Sequence, residues 1–176
     1  MTMMQKIQAK KSKKGFTLVE LVIVIAILAI LAAIAIPVIT TTINSSKVST
    51  LKSDGATVGM LVKEAINNNL AHIDTTTYGG TKATDPNLTV LQVLKANDID
   101  PSAYSKGSSS TDTFYERTIG GKKYGMYYNI DANKVFSLQT GIKGTDSNIP
   151  GNATLLADTT KINDLANAIN GAAATT

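Results

Sequence analysis

The sequence predicts an α+β fold: a long N-terminal helix, apolar in its first half and amphipathic in its second, packed on a small antiparallel β-sheet. Three observations predict it. Residues 16–39 form one almost wholly apolar block. Beyond them, apolar residues recur at helical spacing with polar neighbours. Later, three runs rich in Tyr, Phe, Val and Ile are separated by short turn sequences. The composition is that of two materials joined end to end.

Within the block, Leu21–Ile36 is uninterrupted apolar sequence; Thr17, Glu20 and Pro37 are the breaks. As a helix the 24 residues 16–39 reach about 36 Å at ~1.5 Å per residue. The hydrocarbon core of a bilayer is about 30 Å thick, so the block is long enough to cross it with some tilt. Lys6, Lys10, Lys11, Lys13 and Lys14 precede it with no acidic residue among them. They orient the N-terminus to the cytoplasm and the rest of the chain outward. Pro37 has no amide hydrogen and crowds the preceding turn, which predicts a kink near residues 33–37.

Val48, Leu51, Val58, Leu61, Val62, Ala65, Ile66, Leu70 and Ile73 fall mostly three, four and seven apart. That is one apolar helix face, continuing the first block as a helix from about residue 16 to 71. Gly55 and Gly59 weaken it, and the Thr/Ser stretch at 40–50 reads equally well as a hinge. Residues 74–87 and 98–112 read as loops, and Leu88–Asn97 as a short helix or a strand, with the balance toward helix. Thr113–Ile119, Lys122–Ile130 and Val135–Thr140 read as strands of a meander, the first two joined by Gly120-Gly121, a strong hairpin signal. The tail 152–170 reads as a helix, with fraying at Ala172-Ala173-Ala174.

The net charge is +4, but it resides in the lysine-rich N-terminus. Without residues 1–14, 12 basic and 13 acidic side chains remain, so the basic isoelectric point is no argument for nucleic-acid binding. Lys122 and Lys123 beside tyrosines are a small basic pair, a weak signal for DNA. Tyr115, Tyr124, Tyr127 and Tyr128 read as sheet pairs and core. The absence of cysteine removes disulfides, thiol chemistry and Cys-based metal sites. His72 is the lone histidine, without a second ligand near it in the pattern. Asp98-Ile99-Asp100 lacks the oxygen ligands and glycine of a calcium loop. No nucleophile motif or phosphate-binding loop is present. The expectation is no catalytic residue, no metal site, no cofactor and no enzyme.

Glu20 separates the readings of the N-terminal block. A cleaved secretory signal has a shorter apolar core and no acid near its start. A plain single-pass anchor explains the length and orientation but not the carboxylate, which costs about 2.5–3.5 kcal/mol at mid-bilayer and less near the end. The full string Lys13-Lys14-Gly15-Phe16-Thr17-Leu18-Val19-Glu20-Leu21, followed by a long aliphatic run and Pro37, resembles the class III signal of type IV pilins.

The resemblance covers roughly residues 10–45. It implies a leader, residues 1–15, cut after Gly15 by a prepilin peptidase, with methylation of the new N-terminus at Phe16. It implies that Glu20 pairs with the Phe16 ammonium of a neighbouring subunit during assembly. Residues 16–39 would be the membrane-spanning and filament-core helix, with Leu21, Val22, Ile23, Val24, Ile25, Ile27, Leu28, Ile30, Leu31, Ile34 and Ile36 as the buried wall. Residues 40–73 would continue it, and 74–176 would form a globular head with the meander over 113–140 and the C-terminal helix. The implied product is a homopolymer, a type IV pilus serving adhesion, surface motility or biofilm formation. An assembly platform and motor ATPase would act on it indirectly, and its receptor is unknown. The subunit would lie in the cytoplasmic membrane before assembly and outside the cell after it. The missing cysteines and long lysine leader lean toward a Gram-positive source. Two other readings stay open: a pseudopilin of a type II secretion or DNA-uptake machine, and a membrane-anchored binding domain that never polymerises.

Overall fold

Helix α1 spans Leu18–Leu70, the first element of a computed structural model that describes residues 15–70, 77–78, 81–82, 88–104 and 109–171. The chain divides into two compact units between Thr42 and Ile43. In the first, aliphatic residues make the helix. Pro37 lies inside it and has no N–H to give the Ala33 carbonyl. Just beyond, Thr40 Oγ1 donates to the Ile36 and Pro37 carbonyls (3.0 and 2.9 Å), and Thr41 Oγ1 to the Pro37 carbonyl (2.7 Å). Thr42 and Thr50 bond back four residues in the same way. The stretch 40–50, equally readable as a hinge, is helical, and these threonine hydroxyls bond back to carbonyls of the preceding turn.

In the second unit the helix becomes one wall of the core. Leu51, Val58, Val62, Ala65 and Ile66 are buried, and Val48 and Leu61 pack against them. Gly55 occupies the gap in this stripe and is buried. A Cβ built there would fall on Thr140 Oγ1, and one on Gly59 would meet Leu138 Cβ at 3.3 Å. The two glycines do more than weaken the helix: they let a strand press against its backbone.

That strand belongs to a four-stranded antiparallel sheet. Strands β3 (Glu116–Ile119), β4 (Lys122–Ile130) and β5 (Phe136–Gly141) form the expected meander. Gly120 and Gly121, with φ +59° and +76°, make the β3–β4 turn, which requires positive φ at both positions. The register runs from Ile119↔Lys122 to Glu116↔Gly125. β4 and β5 pair from Ile130↔Phe136 to Gly125↔Gly141. Asp131 closes the intervening turn by accepting the Val135 amide through Oδ1 at 2.9 Å. The fourth strand, β6 (Thr154–Leu155), was not anticipated in the tail. It pairs with β4 at Tyr127↔Leu155 and Tyr128↔Thr154, on the edge that β3 leaves open. Two residues carry no period of their own, and the pairing is long-range.

The connections also depart from the loop expectation. Thr77–Tyr78 (β1) and Thr81–Lys82 (β2) pair antiparallel, Thr77↔Lys82 and Tyr78↔Thr81. Helix α2 is Val90–Ala96, as expected, with Thr89 N–H donating to Gln92 Oε1 (2.8 Å) in the manner of a capping box. Pro101–Tyr104 forms a short helix, α3, inside the expected loop. Asp100 Oδ1 accepts the Ser102 amide and hydroxyl at 2.9 and 2.6 Å, and proline suits the first helical position. The tail helix is α4, Ile162–Asn170, ended by Gly171 at φ +75°. It is tied to the start of α2 by Ile162 N–H to the Leu88 carbonyl and Val90 N–H to the Thr160 carbonyl. Met126, Leu156, Ile162 and Leu94 complete the core. Residues 1–14, His72, Ile73 and Ala172–Ala174 lie outside the described residues.

Candidate functional site: the start of the apolar helix

Gly15, Phe16 and Thr17 precede the first turn of α1 without regular structure. A Cβ on Gly15 would meet nothing within 4 Å, so packing within the chain does not demand glycine there. Phe16 is 89% exposed. Thr17 and Glu20 then form a reciprocal cap. The Thr17 amide and hydroxyl both donate to Glu20 Oε2 at 2.8 Å, and the Glu20 amide donates to Thr17 Oγ1 at 3.2 Å. This is the capping box, Thr-x-x-Glu, satisfying two of the helix's orphan amides. The sequence reading assigned Glu20 only to assembly. The Thr17-Leu18-Val19-Glu20 spacing was the signal for this second job, and it was there to be read.

The cap uses one carboxylate oxygen, Oε2, and fixes it beside the backbone of residue 17. The carboxylate therefore sits at the very start of the helix, close in sequence to the Phe16 amide, with its charge spatially defined. After it, Leu21, Val22, Ile23, Val24, Ile25, Ile27, Leu28, Ile30, Leu31, Ile34 and Ile36 are each 49–64% exposed. A helix apolar on all sides is a buried helix in its working environment, a membrane span or the core of an assembly. By length and composition this one is able to cross a membrane.

Other sequence candidates sit apart from this segment in the chain. Lys122 and Lys123 are exposed at the β3–β4 hairpin, with Lys123 Nζ 2.9 Å from Glu116 Oε2. Tyr115 is buried, and Tyr128 stacks on Phe136 at 6.1 Å. Among the described residues no group of three His, Cys, Asp or Glu is placed to hold a metal ion.

Residues 10–36 match the family model described as the prokaryotic N-terminal methylation motif. No curated protein and no solved structure matches the chain. The chain thus carries the class III signal, the signature of type IV pilins and prepilins. That motif supports a pilin-like or pseudopilin precursor, a structural subunit in kind. It implies prepilin-peptidase processing and pilus assembly, and with the apolar helix it fits a membrane-anchored precursor that becomes an extracellular fibre.

Proposed function

We propose that this chain is the structural subunit of a type IV pilus, polymerising through α1 and serving surface adhesion, motility or biofilm formation. The carrying observation is the exposed, all-round apolar helix that opens on the capped Thr17–Glu20 pair inside the methylation motif. In this reading the peptidase cuts after Gly15. A residue with no side chain and little helix preference leaves the scissile bond free to be drawn out extended. Cleavage liberates an ammonium on Phe16, which is then methylated.

Glu20 pairs with the Phe16 ammonium of a neighbouring subunit. Opposite charges about 4 Å apart attract far more strongly in a low-dielectric core than in water. A subunit in register neutralises both charges, which sets the stagger. Because Oε2 is held by Thr17, the carboxylate enters this pairing with its position already defined. The aliphatic wall from Leu21 to Ile36 then packs helix against helix. Transfer from lipid to such a core gains much less than transfer from water, so extraction needs the work of a motor ATPase.

A pseudopilin of a secretion or DNA-uptake machine carries the same motif, and is the second reading; long surface fibres separate the first from the short filaments of the second. Mass spectrometry of the N-terminal peptide, from material sheared off cells, tests both against a non-polymerising anchor. The expected peptide begins at methylated Phe16. A chain that keeps Met1–Gly15 and stays in the membrane fraction overturns the fibre reading.

A further inference from the structure

The alternation of β4 puts Met126 in the core and turns Lys123, Gly125 and Tyr127 to the opposite face of the sheet. Lys123 and Tyr127 from that face, Lys122 from the hairpin tip, and Ile142, Lys143 and Thr145 from beyond β5 line a concavity of about 380 Å³. Its parts are held in place. The Tyr127 ring lies over Gly125, where any Cβ would come within 2.8 Å of it. Lys143 Nζ stands 5.7 Å from the ring centroid and donates to the Ala153 carbonyl at 2.6 Å. Glu116 fixes Lys123. Lys122, at the tip of the hairpin, has no hydrogen bond or ion pair among the described residues. Three ammonium groups line the concavity and no carboxylate does, while Glu116, paired with Lys123, and Asp146, whose Oδ2 accepts the Ile142 amide, lie beside it.

We propose that this pocket binds an acidic saccharide, taking a ring carboxylate on the lysines and ring hydroxyls on Thr145 and the Tyr127 phenol. Three features favour a small acidic sugar over nucleic acid. The Tyr127 ring is already engaged by Gly125 and Lys143 and is no open platform for a stacked base, the usual device for single strands. The lysines are gathered around one concavity of about 380 Å³ rather than drawn out as a phosphate-tracking stripe. The chain without its leader has 12 basic and 13 acidic side chains, so no chain-wide positive field adds to the local lysines along a long phosphate backbone. A mixed set of cations and hydroxyls suits an acidic sugar, which offers both an anion and hydroxyl groups.

The test is equilibrium binding to the full processed chain in detergent micelles. The probes are a galacturonic acid trimer, neutral maltotriose, and a 20-base-pair DNA duplex. The expected result is binding of the uronate trimer, weakened by salt, with no binding of maltotriose. Lys122→Gln with Lys143→Gln should weaken it about tenfold, the loss typical of one or two charge-assisted hydrogen bonds. Lys134→Gln, on the β4–β5 turn, should leave it unchanged. If the double variant melts early because the Ala153 contact is lost, Lys122→Gln alone decides, by a smaller loss in the same direction. Absence of trimer binding, an equal loss in Lys134→Gln, or a duplex bound more tightly and released by the same substitutions would each overturn the proposal.

Discussion

The two halves of α1 are built by one helix geometry and held by different physics. Residues 18–42 are apolar on every side and exposed on every side. Residues 43–70 are apolar on one stripe, and that stripe is buried. Ile30 is 63% exposed and Ile66 is 1% exposed. Among the described residues the same side chain thus contributes to a core in one half and stands mostly exposed in the other. The head is stabilised by its own core. The first half is a surface that the described residues leave open, as a membrane span or the core of an assembly presents.

The sharpest way to break this comparison is at Glu20. Glu20→Ala should reduce sheared filament about tenfold or more, the factor that about 1.4 kcal/mol per subunit contact gives, and leave head unfolding untouched. Glu20→Gln separates the two jobs of the residue. Glutamine serves in a capping box, so it preserves the helix start while removing the charge. If Glu20→Gln forms filaments normally, the cap is what assembly needs and the charge pairing is wrong.

Next in size is the isoleucine pair. In the detergent-solubilised chain, Ile66→Ala should cost the head about 2–5 kcal/mol by denaturant unfolding, as buried large-to-small changes do. Ile30→Ala should stay within ~0.5 kcal/mol. Equal effects would mean that the halves do not differ in this way. Gly55→Ala should come third, destabilising by about 1–3 kcal/mol through collision with Thr140, the usual range for overpacking. The gain in helix propensity of about 1 kcal/mol opposes that cost. A net stabilisation would show that β5 is free to move away from the helix.

The smallest effect belongs to the head alone and appears only in alkali. Burial first, and then the Asp158 carboxylate, hold the Tyr115 phenol well above its ordinary pKa of 10.0. The unfolded chain then loses this proton before the folded one does. Stability should therefore fall as pH rises through 10, the range where only the unfolded state ionises. Tyr115→Phe should flatten that part of the stability–pH curve, read from melting temperatures between pH 8 and 11. An unchanged slope would place the alkaline transition elsewhere.

The prospects of reading each region from sequence followed how local its signals are. The methylation motif, the apolar block, the amphipathic stripe and the Gly120-Gly121 hairpin are written in contiguous residues, and each was legible. The Thr17–Glu20 cap was equally local and went unread because the carboxylate already had a role. The α3 turn lay in Asp100-Pro101-Ser102, where a capping acid and a helix-starting proline announce a helix too short for any period. β6 was different in kind: Thr154-Leu155 becomes a strand only because β4 offers an unpaired edge beyond Tyr115.

By itself the sequence determined that the chain has an apolar, membrane-competent start, where that segment begins, and which residues sit at its processing motif. Periodicity and charge act along the chain, so they need no fold to be read. Tertiary structure alone decided that Gly55 and Gly59 are the seat of a strand, that Tyr127 turns away from the core over Gly125, and that Lys122, Lys123 and Lys143 converge. The glycine seat and the lysine cluster depend on close approach between segments about twenty to eighty-five residues apart, and hard-core contact at that range leaves no imprint on local pattern.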